Sequence, residues 1–280
     1  MDGGHKLWMI CNASSGSNDE EAVGALCKRL APDRVIPIPG EDVPSAAELD
    51  AADVQALAIF TGDGTANSVL LAAEGFGGVI LVLPGGTTNL LARALHGEEA
   101  TAEAIIDAFH AGAMGEVERD FIETSNGCAH SEVLAGPGAA WSDVRETLRE
   151  GDIAGVARTT TEAIQQVTSG PQVHLAQPPR GRAEGYPAVL LTLDGRTMQV
   201  DGYGGEGIAD FLAQGVALLK REFREGPHDA LGRHRSITLR ADEPIALMVD
   251  GERRTGGMEE RIALRPARLR FLSLRTGGHG

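Results

Sequence analysis

Short apolar runs alternate with segments of helical periodicity through the first part of the chain. Four runs predict strands, and several are followed by segments in which apolar residues recur at intervals of three and four. The predicted strands are Leu7–Cys11, Val35–Ile38, Leu57–Phe60 and Val79–Leu83, and helices are predicted at Ala66–Ala73, Leu90–Leu95 and Ala102–Ala111. This alternation is typical of β-α units around a parallel sheet.

After Gly115 the pattern changes to an alternation of apolar and polar residues between turns, which predicts mainly antiparallel β-structure. The strand candidates are Ala188–Leu193, Ser236–Arg240, Ala246–Val249 and Arg268–Leu274. Helices are predicted around Ser142–Thr168 and at Gly207–Glu222, and Gln177–Gly185 is expected to form an exposed hairpin or loop. We therefore expect a domain boundary near residue 115.

Composition narrows the class of protein. Forty acidic residues against 25 basic ones give a formal charge of −15, which argues against broad nucleic-acid binding and against electrostatic anchoring on an anionic bilayer. Three cysteines at wide spacing, Cys11, Cys27 and Cys128, build neither a disulfide framework nor a CxxC zinc site. With no long apolar segment and no signal-peptide layout at the start, a cytoplasmic protein is expected.

Three loops with glycine each follow a predicted strand: Asn12–Gly16, Thr61–Thr65 and Pro84–Asn89. In an open α/β sheet, ligands bind at the carboxyl ends of the strands, where glycine allows main-chain N–H groups to approach phosphate oxygens. Taken singly, each loop is an ordinary turn, connector or helix entry. The GxxxxGK[ST] motif and a GxGxxG after the first strand are absent, so a P-loop enzyme or Rossmann dehydrogenase is not expected.

Together the motifs resemble those of the diacylglycerol kinase catalytic-domain family, which includes bacterial lipid kinases and sphingosine kinases. The family's NPxSG, GGDGT, PxGTxND and DGE motifs correspond to Asn12–Gly16, Thr61–Thr65, Pro84–Leu90 and Asp250–Glu252. The segments Ala135–Ala139 and Leu269–Leu272 extend the resemblance over almost the whole chain. Three motif positions differ from the family, namely Ala13, Thr61 and Leu90, and the last removes an acidic residue.

The resemblance implies a Rossmann-like, three-layer α/β domain of the NAD-kinase and diacylglycerol-kinase type over residues 1–115. Residues 116–280 would form a mainly antiparallel, β-sandwich-like domain that supplies the catalytic base, with its last strand returning to the first domain. ATP would bind in the cleft between them. The resemblance also implies that the structural magnesium loop of some bacterial members is absent, because Asp201–Glu225 lacks the residues that build it.

The same resemblance assigns roles to individual residues. Glu252 would be the catalytic base with Asp250 beside it, and Asp63 would handle magnesium at the phosphates; Asp120 matches a family aspartate only loosely. The residues expected at the nucleotide are Asn12, Ser15, Gly16, Gly62, Gly64, Thr65, Asn67, Thr87, Thr88 and Asn89. A competing interpretation is that Asp250-Gly251 is a hairpin turn and Glu252 a solvated neighbour. We also expect Gly62 and Gly64 to be required for phosphate approach and for any positive φ.

The expected function is an ATP- and Mg²⁺-dependent kinase that phosphorylates a hydroxyl of diacylglycerol or a related long-chain lipid. The alternatives are a nucleotide-binding protein without turnover and a kinase of a soluble acceptor. The lipid would be met at a membrane surface by transient contact, with Arg180 and Arg182 as candidate contact residues, and no nucleic acid is expected. The sequence leaves open whether the protein forms a homodimer.

Overall fold

The computed structural model describes residues 6–12, 20–86, 89–137, 171–204 and 228–275. The chain divides into two compact units, the first formed by Met1–Arg119 with Pro266–Gly280 and the second by Asp120–Arg265. The helices predicted around residues 142–168 and 207–222 lie outside the described residues.

In its described residues, the first unit contains five helices and the parallel strands. Its elements are β1 Leu7–Cys11, α1 Glu20–Leu30, β2 Arg34–Pro37, α2 Ala46–Ala51, β3 Ala56–Thr61, α3 Asp63–Ala72, β4 Val79–Pro84, α4 Leu90–His96 and α5 Ala102–His110. The remaining strands are β5 Gly115–Thr124, β6 Gly127–Ala129, β7 Glu132–Ala135, β8 His174–Gln177, β9 Ala188–Asp194, β10 Thr197–Tyr203, β11 His228–His234, β12 Ser236–Arg240, β13 Ala246–Val249, β14 Glu252–Thr255 and β15 Glu259–Ser273. Both β5 and β15 contain residues of each unit.

The sheet of the first unit is parallel, in the order β2-β1-β3-β4-β15. Every residue of β1 and β3 is buried, as expected for strands with both faces covered. Met9, Ala58 and Leu81 pack in one core with buried side chains of α1 and α5. Because β1, β3 and β4 are parallel neighbours, their carboxyl ends lie at one edge of the sheet.

Helix α2 was not predicted from apolar periodicity. It has six residues, too few to show a helical repeat, and Leu49 is its buried residue. Its signal is instead a capping box. The Ser45 side chain accepts a hydrogen bond from the Glu48 N–H, and the Glu48 carboxylate accepts one from the Ser45 N–H. Such reciprocal caps satisfy main-chain donors that a helix start leaves without an acceptor.

The second unit contains an antiparallel sheet in the order β11-β10-β9-β7-β13-β14. A second set of strands pairs as β8-β12-β15 and β5-β6. One apolar core joins side chains of both sets, for example Leu191, Val200 and Val249 with Leu239 and Ile262. The described strands thus form two layers over a shared core, a sandwich-like arrangement.

The sequence pattern underestimated the last strand. Arg268–Leu274 is only its end, since β15 begins at Glu259 and first pairs antiparallel with β12. Arg268 has a positive φ of 51°, and Arg270 then pairs parallel with Val79 of β4. The backbone irregularity, together with Pro266, interrupts the regular alternation from which a single long strand could have been predicted.

His96 is a buried titratable group in the last turn of α4. Its Nε2 lies 2.9 Å from the Val82 carbonyl oxygen, and its Nδ1 has no hydrogen-bond partner. Burial lowers the pKa of His96 to about 4, because the charged imidazolium is poorly solvated there. The neutral ring therefore donates its Nε2 proton to Val82.

The lowered pKa predicts a loss of stability in mild acid. Below pH 6.5 the unfolded chain takes up a proton at His96 that the folded protein binds only near pH 4, so stability falls as the pH decreases through this range. At pH 5 the loss from this group is about 2 kcal/mol relative to pH 7.5. Urea unfolding at pH 5 and pH 7.5 should show that the free energy of unfolding of His96→Gln changes less with pH than that of the wild-type protein.

His110→Gln is the matched control, since His110 is exposed and its ring contacts the Arg29 carbonyl. An equally steep pH dependence in His96→Gln would contradict the assignment.

Candidate functional site

The loops after β1 and β3 are joined by hydrogen bonds of one asparagine. The Asn12 N–H donates to the Phe60 carbonyl oxygen at 3.2 Å, and the Asn12 side-chain amide donates to the Thr65 hydroxyl at 3.4 Å. Asn12 directly follows β1, and Thr65 lies in the first turn of α3. The structure therefore brings together two residues predicted at the nucleotide. Ser15 and Gly16, from the same first motif, lie outside the described residues.

The loops after β3 and β4 are joined by Asp63. One carboxylate oxygen of Asp63 accepts a hydrogen bond from the Leu90 N–H at 2.8 Å. The same two loops are in close contact at glycines, because a Cβ atom on Gly86 would lie 2.8 Å from the Gly62 Cα. Glycine at position 86 is thus required by loop packing. Thr87 and Thr88, between these anchors, lie outside the described residues.

Asn89 shapes the third loop through its own side chain. It adopts the left-handed conformation, φ 52° and ψ 43°, which asparagine tolerates better than most residues. Its side-chain oxygen accepts a hydrogen bond from the Gly86 N–H at 2.6 Å, and its amide donates to the Gly86 carbonyl at 2.8 Å. The contacts of Asn89 thus close the loop on itself.

Helix α3 begins at Asp63, three residues before the predicted start. Gly62 is its N-cap in an extended conformation, with φ −72°, and Gly64 lies within the first turn, so the expectation of positive φ is wrong for both glycines. The Asp-Gly pair suggested a turn, but here it starts a helix. The first N–H groups of α3 consequently have no acceptor within the helix, and the positive end of its dipole lies at this loop.

Asn67 lies one helical turn after Asp63 in α3 and is buried. It therefore follows the first turn of the helix, which contains Asp63 and Thr65. Thr61, which replaces the family's first glycine, is also buried and donates its hydroxyl hydrogen to the Gly62 carbonyl oxygen at 3.1 Å. The substitution is therefore accommodated by a local hydrogen bond.

In the second unit, the DGE segment forms a β-hairpin. Val249 pairs with Glu252, and Asp250 and Gly251 form the turn with φ of 44° and 86°. Positive φ at both central residues is the geometry of a tight hairpin turn. The hairpin turn expected at Asp250-Gly251 is thus observed, and this turn is common to both interpretations of the segment.

Asp250 is buried, and its carboxylate accepts three main-chain hydrogen bonds. They come from His130 at 2.6 Å, Ser131 at 3.0 Å and Glu132 at 2.9 Å. Asp250 was expected beside the base Glu252, but its side chain is buried in these main-chain contacts whereas Glu252 is partly exposed. Sequence reasoning missed this role, since the three donors lie more than a hundred residues earlier.

Glu252 is the first residue of β14 and is partly exposed. Its carboxylate accepts a hydrogen bond from Arg254 at 2.5 Å, two residues along the same strand. Ion pairs at the surface contribute roughly 0–1 kcal/mol, so this pair holds Glu252 only weakly. A carboxylate in such a setting can exchange partners readily.

Three further buried carboxylates lie in the described part of the second unit, those of Asp120, Asp201 and Glu260. Asp120 is 3.4 Å from the Arg235 guanidinium, and Glu260 accepts hydrogen bonds from Ser125 and Gly257. Glu260 was not singled out from the sequence, because the predicted strand began only at Arg268; alternation within β15 places Glu260 on the same face as the buried Ile262.

The candidate membrane-contact arginines differ in their surroundings. Arg180 is exposed, whereas the Arg182 guanidinium pairs with Asp229 at 2.7 Å and lies over the Tyr186 ring. This pair lowers the pKa of Asp229. Arg182 thus stabilises its own loop, and membrane contact by either arginine stays a prediction.

The geometry of the first unit defines a class of protein. Three strand-end loops converge at one edge of a parallel sheet, joined through Asn12, Asp63 and the Gly62 and Gly86 backbones, with a helix start among them. This arrangement is typical of phosphate-binding sites in open α/β folds. Within the described ranges, no group of three or more His, Cys, Asp or Glu side chains is placed to hold a metal ion by itself.

Comparison with known proteins identifies a domain of the first unit. Residues 6–118 match the model of the diacylglycerol kinase catalytic domain, which belongs to a family of kinases. A search of curated protein sequences gave no match.

Solved structures share the fold. A diacylglycerol kinase from Bacillus anthracis str. Sterne superimposes with a TM-score of 0.63 at 16% identity, covering 96% of this chain and 97% of that one. Two further structures from the same strain, described as candidate diacylglycerol kinases, give TM-scores of 0.62 and 0.60 at 15% and 14% identity. They cover 96% and 95% of this chain and 97% and 96% of their own. Among the described helices, none has the length and apolar character needed to cross a membrane.

The contact between Gly86 and Gly62 predicts a cost for any side chain at position 86. A methyl group there meets main-chain atoms that cannot move aside without separating the loops, so Gly86→Ala should destabilise the protein by about 1–3 kcal/mol. Chemical denaturation would measure this loss.

Gly24→Ala is the matched control, since a Cβ at this position in α1 meets no atom within 4 Å. It should leave stability unchanged or raise it by about 0.5–1 kcal/mol, because alanine favours the helix. Equal stability of the two variants would refute the packing argument.

Proposed function

We propose that the protein is an ATP-dependent lipid kinase that transfers the γ-phosphoryl group to a hydroxyl of diacylglycerol or a related long-chain lipid. The observation that carries the proposal is the convergence of three loops at one sheet edge, with Asp63 joining two of them. The match to the catalytic domain of a kinase family supports phosphoryl transfer. The names of the similar structures support a lipid acceptor.

The residues at the joined loops suit Mg-ATP. The N–H groups at the start of α3, the Thr65 hydroxyl and the Asn12 amide are donors of the kind that bind phosphate oxygens. A carboxylate such as Asp63 is the ligand type that Mg²⁺ prefers, and Mg²⁺ commonly binds through one or two carboxylates together with substrate phosphates. When bound, the metal would neutralise developing charge on the phosphates.

In the proposed reaction, the acceptor oxygen forms a bond to the γ-phosphorus while the bond between this phosphorus and the leaving ADP oxygen breaks. Glu252 takes the proton of the acceptor hydroxyl. The first-unit residues hold the triphosphate in position, which is most of what phosphoryl transfer requires of a protein. General-base assistance by a carboxylate contributes typically ~10²–10⁴-fold.

Two features of the sequence favour a protein without turnover, the replacement of an acidic residue by Leu90 and the altered segment Asp201–Glu225. Leu90 donates its main-chain N–H to Asp63. Any residue except proline could donate the same hydrogen bond. The loss of the acidic side chain therefore leaves the joint between the loops in place. This observation supports an active kinase over a degenerate family member.

An activity assay separates the candidate functions. Purified protein is incubated with Mg-ATP and diacylglycerol in mixed micelles, and lipid phosphate and ADP are measured. Phosphorylated lipid is expected. ADP formed only after a glycerol-type soluble acceptor is added, with no lipid phosphate, would favour the kinase of a soluble acceptor. Nucleotide binding without ADP or lipid phosphate would favour the regulatory protein.

The assignment of Asp63 predicts a loss of nucleotide binding. Asp63→Ala removes both the carboxylate proposed for the metal and the acceptor of the Leu90 N–H, so calorimetry should show Mg-ATP affinity reduced at least about tenfold. Asp50→Ala is the control, since Asp50 also accepts a main-chain hydrogen bond, from Gly77, elsewhere in the first unit. Unchanged affinity in folded Asp63→Ala would exclude this loop as the nucleotide site.

The assignment of Glu252 predicts a different kinetic pattern. Because a base acts only on the acceptor, Glu252→Gln should lower turnover by about 10²–10⁴-fold and leave Mg-ATP affinity nearly unchanged. Arg254→Gln, which removes the ion-pair partner but not the base, is the control and should retain turnover within a few fold. Wild-type turnover in Glu252→Gln would move the proposed role to another residue, with Asp120 the next to test.

A further inference from the structure

The strand that contains Glu252, β14, makes few packing contacts with its own side chains. Among the strands that the structure describes, β14 lies at the end of its sheet and pairs with β13 alone. Glu252 is partly buried and the next three residues are exposed. An edge strand without buried side chains gains almost no stabilisation from packing, so its position depends on how its two ends are held.

A buried carboxylate holds each end of β14. At the turn before it, the Asp250 side chain, 4% exposed, accepts hydrogen bonds from three consecutive main-chain N–H groups of residues 130–132. These groups lie at the start of β7, which pairs with β13, so the Asp250 carboxylate fixes the turn against the neighbouring strand.

The loop that follows β14 is held in the same way, by the carboxylate of Glu260. Its side chain is 1% exposed and accepts hydrogen bonds from the Ser125 N–H at 2.7 Å, the Ser125 hydroxyl at 2.8 Å and the Gly257 N–H at 3.1 Å. The carboxylate thereby connects the turn between β5 and β6 to the loop between β14 and β15. Asn126, in the same turn, donates its side-chain amide to the carbonyl of Thr255, the last residue of β14.

We propose that Asp250 and Glu260 are positioning residues that hold β14, and with it Glu252, in the place required for proton transfer. The inference rests on the proposed function, in which Glu252 is the base. Both carboxylates are buried among main-chain donors, and a buried acceptor in such a network is costly to remove. Asp250 therefore acts through Glu252 and does not itself contact the reacting atoms.

Isosteric amides test the proposal. Asp250→Asn and Glu260→Gln keep the side-chain shape but place an NH₂ group where a main-chain N–H requires an acceptor. In the micelle assay with diacylglycerol, each should lower kcat about 10–100-fold and leave KM for ATP within about twofold, because a small displacement of a base is enough to slow proton transfer. Glu259→Gln is the matched control, since the neighbouring Glu259 only pairs with Arg240 at the surface and should stay within about twofold.

The decisive measurement is a double-mutant cycle with Glu252→Gln. If the two carboxylates act through Glu252, then Asp250→Asn and Glu260→Gln should have less than about a threefold effect on kcat once the base is gone. The same fold loss in both backgrounds would mean that they act elsewhere, and unchanged kcat in the single variants would also overturn the proposal. Ser125→Ala, which removes one donor to Glu260 and leaves the charge intact, is a milder variant that extends the cycle if an amide variant does not fold.

Amide hydrogen exchange separates failure of this proposal from failure of the proposed function. Exchange at residues 252–255 should accelerate at least about tenfold in Asp250→Asn, Glu260→Gln and Ser125→Ala, but not in Glu259→Gln. Unchanged exchange would show that the carboxylates do not hold β14. Wild-type turnover in Glu252→Gln would instead remove the base from the proposed function, and accelerated exchange would still establish that the strand is held as inferred.

Discussion

The parallel pairing of β1, β3 and β4 is the constraint on which the candidate nucleotide site depends. In register, Cys11 of β1 lies beside Phe60 of β3, and Thr61 lies beside Pro84 of β4, so the three following loops begin at one edge. Burial of β1 and β3 on both faces keeps the strands from sliding, because a shift in register would break main-chain hydrogen bonds that water cannot replace there. Asparagine and aspartate side chains then tie the loops to one another, and glycine permits the contact between their backbones.

The two units use carboxylates in different ways. Asp63 accepts a hydrogen bond from a neighbouring loop at the start of a helix, where the dipole favours negative charge and where phosphate-type ligands also bind. Asp250 and Glu260 are buried, and the hydrogen bonds that their carboxylates accept stabilise the charge and fix the neighbouring turns. Glu252 has neither arrangement, since it is partly exposed and pairs with Arg254 on its own strand.

Two departures from the family motifs keep local hydrogen bonds at the loops. Leu90 supplies an N–H to Asp63 as the usual acidic residue would, and Thr61 replaces glycine with a hydroxyl that finds an acceptor one residue away. Substitutions at such positions change the side chain without removing the donor or acceptor that joins the loops. Comparing side-chain identities alone overestimates these differences, since main-chain groups make part of the contacts of each motif.

The sequence by itself determined four of the parallel strands of the first unit, its longer helices, the three glycine-bearing loops and the resemblance to diacylglycerol kinase motifs. Apolar periodicity and strand-end glycines are local properties, so they can be read along the chain. The tertiary structure decided what depends on distant partners. It showed that Asp-Gly starts a helix at residue 63 but a hairpin turn at residue 250, because the first pair lies beside the loop after β4 and the second beside residues 130–132. It also distinguished the buried Glu260 from the exposed Glu259, since only the fold brings Ser125 within hydrogen-bond distance of one of them.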